Sequence, residues 1–406
     1  MTGNTNTNTN KRNYYDGDDD GPQRKKQKIL QDKHKLPSLI RRKIDKLIVS
    51  TFVTEDDNLN ATAFIQGVCT AIHVLLCHVR LNINRESIDE VESAIRLFPR
   101  VLSMKWLQET DYNDDSLAGY YPISLQVVQN DNGKFRECRP HGVVFIPLLI
   151  RLALEFRIFK DEFRGGLLIN DINGNPVLQS LVMSSNSNDQ KYNNNKHYTI
   201  ADDTFLDTLI KLKEMECIKK EDIWDNDLLN ILCDSRNPSY FSFKRFQFLV
   251  ECNPNPLTRG TKIHNYLPLH FAANKSDIRI FRTVLKAGMQ YLPKKAQGIT
   301  LLFRKDDRDE TPFYDACKKY GNEETMKVIE ETFIDCGCGC YEYDTSNTVG
   351  ALLFAAFDEN VHLDGVYFLL RNDPNLAQKL LSIINSTSTN NDKYYNDGGS
   401  MKRQKM

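Results

Sequence analysis

The sequence predicts an all-α fold, a helical-repeat solenoid with disordered N- and C-terminal tails. Three observations point there. Apolar residues recur on one helix face along most of the chain, as at i, i+3, i+6 and i+7 in Ile278, Phe281, Val284 and Leu285. Strict apolar–polar alternation, the mark of a half-buried strand, is scarce. A proline-led pair of apolar segments returns several times, separated by loops of uneven length.

Composition bounds the function. The 406 residues are 40% hydrophobic and 26% charged, enough for a thin core with much surface. Lys and Arg number 53 against 54 Asp and Glu, a net charge of -1. A general nucleic-acid binder carries a basic excess, so nucleic acid is not the expected partner. Most of the ten cysteines stand singly inside apolar helical patterns, as in Ile231-Leu232-Cys233, and read as small hydrophobes in a reducing compartment. Residues 1–8 hold no apolar stretch of the kind a signal peptide needs. The longest apolar run, Val143 to Ile150, is interrupted by Pro147 and ended by Arg151, which is too short for a bilayer. A cytoplasmic or nuclear protein without a membrane partner is expected.

Organisation follows the composition. Residues 1–35 and 384–406 are polar tails, and 184–198 is an Asn/Ser-rich insert; none buries enough apolar surface to offset its ordering entropy. Residues 36–99 read as an N-terminal helical cap with helices near Leu39–Phe52 and Ala63–Leu81. About six repeats fill 100–383. Their first helices start near Pro122, Pro176, Leu228, Pro268, Pro312 and Ala351, steps of roughly 39 to 54 residues. Proline suits the first helical turn because its missing N–H would be unpaired there, and Thr or Asp just before it caps the helix. Ala272 and Ala273 allow close approach of the first helix to its neighbour, while Phe281 and Leu285 on the second fill the space between layers. Gly288 is expected to supply the left-handed turn that ends that second helix. One such pair cannot bury its own apolar face, so neighbours must stack.

Two units carry a more specific signal. Pro268-Leu269-His270-Phe271-Ala272-Ala273 and Thr311-Pro312 together resemble the ankyrin repeat, whose hallmark is Thr-Pro-Leu-His-x-Ala. The resemblance implies that Pro268, His270, Ala272, Thr311 and Pro312 are structural, with the imidazole tying its turn together. It also implies a non-enzymatic scaffold, probing a protein partner with its concave face and loop tips. The matching tips hold His264 and Tyr266, then Lys305, Arg308 and Asp309, and then Tyr343, and these six are the expected contacts. The partner's identity is not readable. A monomer without cofactor or small-molecule substrate is expected.

No phosphate loop, dinucleotide fingerprint, nucleophile elbow or H-E-x-x-H motif is present. Cys336, Cys338 and Cys340 bring three thiols together and give the alternative, a metal- or redox-responsive regulator. Cys69, His73 and Cys77 share one helix face among apolar neighbours and read as packing. Lys11 and Arg12, with Arg24, Lys25 and Lys26 further on, have the spacing of a bipartite nuclear import signal.

Overall fold

A computed structural model describes residues 21–50, 57–79, 81–106, 119–127, 140–172, 174–183, 195–234, 241–275 and 277–336, together with 371 and 378. These residues form helices and loops, with no strand among them; an isolated antiparallel bridge joins Asn170 and Pro176. The chain divides into two compact units, Met1–Ile218 and Lys219–Met406. The sixth expected repeat, from Ala351, lies outside the described residues but for 371 and 378, as do the C-terminal tail and Tyr343.

The first unit contains α1 (Pro22–Gln31), α2 (Ser38–Ser50), α3 (Asp57–Val74), α4 (Ile88–Leu97), α5 (Pro122–Leu125), α6 (Pro140–Val143), α7 (Ile146–Glu155), α8 (Val177–Met183) and α9 (Asn195–Glu214). Helix α3 is its hub, packed on α1 and α2 and continued by a π turn over Leu75–Val79. Phe64, Val68 and Ile72 on α3 are fully buried. The stretch Leu59–Val79 is long and apolar enough to cross a membrane by length and composition, although Asn60, Thr62, Gln66 and Thr70 interrupt its apolar run. Helix α4 opens with a reciprocal cap, Ser87 Oγ accepting from the Glu90 N–H at 3.2 Å and Glu90 Oε2 accepting from the Ser87 N–H at 3.1 Å.

Two expectations of disorder are corrected here. Residues 22–31 of the supposed tail are helical: Pro22 sits in the first turn, Ile29 is fully buried, and the helix lies on α3. A single well-placed apolar residue and long basic side chains over rings anchor this charge-rich segment, with the Lys25 ammonium 4.8 Å from the Phe98 ring centre and that of Lys26 5.5 Å from Phe64. The second basic cluster of the import-like pattern is therefore on a helix packed against the unit, whereas Lys11 and Arg12 lie outside the described residues. Likewise α9 starts at Asn195, inside the expected insert 184–198.

The second unit contains α10 (Lys220–Asp225), α11 (Leu228–Cys233), α12 (Phe243–Cys252), α13 (Pro268–Ala273), α14 (Ile278–Tyr291), α15 (Lys295–Thr300), α16 (Pro312–Tyr320) and α17 (Asn322–Asp335). Three pairs recur: α11 with α12, α13 with α14, α16 with α17. The short members α11, α13 and α16 pack side by side in one row, and the longer α12, α14 and α17 form a second. Pro268 and Pro312 each occupy the first turn of a short helix, and Thr311 Oγ1 caps α16 by accepting from the Tyr314 N–H at 3.1 Å. Ala272 and Ala273 are fully buried between neighbours, as are Phe281, Val284 and Leu285 of α14. Each such large side chain adds about 1.5–3 kcal/mol of burial.

Gly288 has a different task from the one expected. Helix α14 runs past it to Tyr291, so Gly288 does not end the helix. It is a crossing point: a Cβ on Gly298 of α15 would stand 2.5 Å from the Met289 N and 2.6 Å from the Gly288 carbonyl carbon. The pair lets α14 and α15 meet backbone to backbone. Gly298→Ala is accordingly expected to destabilise the second unit by about 1–3 kcal/mol, read as a lower urea midpoint; a midpoint equal to the parent's would contradict this packing.

Candidate functional site

The loops that precede α13 and α16 build one continuous edge of the second unit. The first tip follows the 3-10 turn Asn255–Thr258. Thr261 closes it, its Oγ1 donating to the Ile263 carbonyl at 2.6 Å and accepting from the Tyr266 N–H at 3.1 Å, while its own N–H reaches the Tyr266 carbonyl at 3.0 Å. His264 and Asn265 take left-handed backbone angles, φ 77° and 54°. Asn and His enter this region more readily than most residues, and a turn is where they do so.

The second tip is organised by Asp306, which is buried. Its Oδ1 accepts from the N–H groups of Arg308 at 2.7 Å and Glu310 at 2.9 Å, and its N–H donates to the Glu310 carbonyl at 2.9 Å. This Asx-type closure fixes Asp306–Glu310, the last five of a run of seven charged residues, as a loop.

His270 joins the two tips. Its Nδ1 accepts from the Leu267 N–H at 3.0 Å, so the ring proton resides on Nε2, which donates to the Glu310 carbonyl at 3.3 Å. Burial pushes the imidazole down to about 4, against the pull of its carbonyl partner. The ring is neutral at physiological pH, the form this pair of bonds requires. Leu267 stands where the hallmark has Thr, and the imidazole takes over the capping of its N–H. Two further bonds lace the tips, from Asp307 N–H to the His264 carbonyl at 3.2 Å and from Asn265 Nδ2 to the Lys305 carbonyl at 3.4 Å.

Five of the six expected contact residues fall on this edge. Tyr266 lies among the rings of His264 at 5.5 Å, His270 at 5.8 Å and Phe271 at 5.5 Å, and the Arg308 guanidinium stands 5.4 Å from its centre. Arg308 also pairs with Glu310 at 2.8 Å and reaches Asp306 Oδ2 at 3.5 Å, leaving its side chain 59% exposed. Lys305 pairs with Asp309 at 3.4 Å. Tyr343 is outside the described residues.

Sequence reading missed the residues behind the tips. Thr258, Arg259, Gly260, Asn265, Leu267, Arg304 and Lys305 enclose a hollow of about 230 Å³. A larger one, about 670 Å³, shares Thr258 and Arg259 and is lined also by Trp224 with Lys220, Glu221, Asp225, Asn253 and Asn255. Arg259 lies over the Trp224 ring. Trp224 is one of two tryptophans in the chain, a signal that the sequence did offer. Arg259 and Arg304 each stand at the entry of a tip, a recurrence hidden by the irregular loop lengths.

The cysteines are placed otherwise. Cys69, His73 and Cys77 are buried in the α3 region, where His73 Nε2 meets the Met104 carbonyl at 3.2 Å and its ring faces Trp106. Cys336 is buried at the end of α17, and Cys338 and Cys340 lie outside the described residues. Among the described residues no group of three His, Cys, Asp or Glu side chains is arranged to hold a metal ion.

Two buried titrating groups on neighbouring helices should give this edge a distinct pH response. Asp315 on α16 is pushed up to about 6 by burial and by the Glu310 and Asp306 charges, and it accepts from Asn274 at 3.3 Å. His270 lies below its ordinary 6.5, so its contribution is complete above pH 6.5 and is lost as pH falls towards 4. Asp315 lies above its ordinary 3.8, so its contribution is complete below 3.8 and is lost as pH rises through 6. The two slopes oppose each other between pH 4 and 6. Asp315→Asn removes one of them, and its stability should fall by on the order of 2 kcal/mol from pH 6.5 to 4.5, more steeply than the parent's. Urea denaturation across that range tests it; parallel profiles for parent and variant would be the contrary result.

No protein-family model matches the chain, and neither a curated protein nor a solved structure is similar to it.

Proposed function

We propose that the chain is a non-enzymatic scaffold of ankyrin-like helix pairs that binds a protein partner along its loop tips and the adjoining first helices. One observation carries this reading: successive tips are tied to each other by hydrogen bonds through the buried His270 ring and the loop backbone, yet present a mixed aromatic and charged outer surface. His270, Asp306 and Thr261 hold the backbone, and His264, Arg308, Asp309 and Tyr314 remain outward. A surface ordered beforehand loses little entropy on binding. Tyrosine and arginine are the side chains that most often concentrate binding energy, and Tyr266 and Arg308 stand against each other at its centre.

Lys318 extends the same surface onto α16, with its ammonium 5.8 Å from the Tyr314 ring centre. The tips and the row of short helices thus offer one contiguous face within this unit. No cofactor enters the reading, and chemistry on a substrate has no part in it.

Proximity labelling with the full chain identifies candidate partners, and a purified candidate is then titrated against Arg308→Glu and Tyr266→Ala. Each is expected to weaken binding by at least about 1.4 kcal/mol, or tenfold. Arg308→Glu should leave the unfolding midpoint near the parent's, since an exposed ion pair adds little stability. Equal affinity of both variants and the parent for every candidate would refute the reading.

A further inference from the structure

The balanced total conceals a segregation of charge at the start of the chain. Residues 21–50, which carry α1, the 3-10 turn Lys33–Lys35 and α2, hold ten Lys and Arg against two Asp. Counted over 1–50, with Asp16, Asp18, Asp19 and Asp20 outside the described residues, the balance is twelve against six. The rest of the chain holds 41 against 48. Several of the cations in 21–50 are engaged. Lys33 pairs with Asp45, Lys35 with Asp32 at 2.8 Å, and Arg41 with Glu90 of α4 at 3.4 Å, while Lys25 and Lys26 lie over rings. Arg42, Lys43 and Lys46 of α2 are exposed, and among the described residues no carboxylate pairs with them.

Helix geometry places these three together. Ile40 and Ile44 are fully buried and fix which side of α2 faces inward, onto α3. Leu47 shares that side and touches α3 at Gly67, where a Cβ would stand 2.8 Å from its Cδ1. At about 100° per residue, Arg42 and Lys46 fall on the opposite side, one turn and about 5–6 Å apart, with Lys43 on the flank one turn before Lys46. Asp45 is the one acid of the helix, and Lys33 of the preceding turn holds its carboxylate. The outer face of α2 thus carries three unpaired cations within two turns. Charge alone admits a nucleic-acid backbone, an acidic bilayer or an acidic protein, and the rest of the face selects among them. A helix lying in a bilayer sinks its apolar side into the lipid, whereas that side of α2 is spent on α3 and Val49 is its one exposed apolar residue. Protein interfaces centre on aromatic anchors, and α2 has no aromatic residue. The same lack removes the stacking platform that single strands need. A duplex backbone, one charge per about 1.7 Å of axis, asks only for cations on a fixed support. The B-form major groove, about 12 Å wide, admits a helix, and the narrow A-form groove does not.

We propose that the outer face of α2 binds the phosphate backbone of double-stranded DNA without regard to sequence, through Arg42, Lys43 and Lys46. This activity belongs to the first unit and is independent of the scaffold reading, which concerns the tips of the second. The basic excess that marks a nucleic-acid binder is present here on one helix and is cancelled in the total by acids elsewhere in the chain.

Fluorescence anisotropy of a labelled DNA duplex of about 20 base pairs, titrated with the full chain at pH 7.4 and at several salt concentrations, tests this. Saturable binding is expected, equal within about twofold for two duplexes of unrelated sequence. Three neutralised phosphates predict a slope of log affinity on log salt near -2.7, or a loss of about fortyfold between 50 and 200 mM. Arg42→Gln, Lys43→Gln and Lys46→Gln should each make the slope shallower by about 1, and the triple variant should bind at least tenfold more weakly at 50 mM. Its urea midpoint should match the parent's, because the three side chains are exposed and unpaired. Lys211→Gln, Lys319→Gln and Lys327→Gln combined remove the same charge from exposed lysines elsewhere and should leave binding as it was. The proposal is overturned by absence of saturable binding at 50 mM, by parental affinity in the α2 triple variant, or by an equal loss in the control triple. Tighter binding of duplex RNA, of vesicles containing 30% phosphatidylserine, or of poly-glutamate than of DNA would overturn it in favour of that anion. Failure of the scaffold reading is seen separately, since Arg308→Glu and Tyr266→Ala should not change DNA binding.

Discussion

A buried, neutral imidazole is the joint on which the second unit turns. His270 sits in the first helical turn of α13, accepts the N–H that a proline-led helix leaves unpaired, and donates to a carbonyl one loop further on. Each bond alone is worth about 0.5–1.5 kcal/mol net. Their joint effect is larger in kind, because they link a local cap to the position of the next tip. A protonated ring could not accept from Leu267, so the geometry demands the low proton affinity that burial provides. Asp315 carries the opposite shift, raised to about 6 by burial and by the Glu310 and Asp306 charges.

From this joint the surface follows. The tips are rich in charge and would be mobile if their backbone groups faced only water. Instead Asp306 and Thr261 satisfy the loop N–H groups from within, and the remaining polar side chains are directed outward at fixed positions. The longer helix α14 behind them contributes stability through Phe281, Val284 and Leu285, all fully buried. In the proposed reading, stability and recognition are divided between the buried helices and the tips, so a tip side chain can change with little effect on the core.

The legible parts of this architecture were those determined within a few residues. Proline at the first turn of α13 and α16, the Thr311 cap, and the small pair Ala272–Ala273 all act on their own helix or its immediate neighbour, and the structure places each in that role. The misread parts depend on what arrives from elsewhere. Gly288 looked like a helix end because glycine ends helices, but its use is set by Gly298 ten residues on. Helix α1 looked disordered because its composition is basic, yet one buried isoleucine and two lysines over aromatic rings hold it to α3. The apolar character of Leu59–Val79 was hidden by scattered Asn, Thr and Gln, which a helix tolerates where their polar groups are bonded or face outward.

The same distinction explains why the hollow behind the tips escaped notice while the tips did not. Tip residues are contiguous in sequence and could be read as two short charged or aromatic runs. Arg259 and Arg304 are far apart in the chain and line one hollow because α13 and α14 intervene as a pair, returning the backbone to the same edge. A balanced net charge of -1 gave no hint of where the bases would gather. On α2 helix periodicity sorts them, with Ile40 and Ile44 turned inward and Arg42 and Lys46 left on the opposite side. A face of one sign can therefore arise from a chain of almost none.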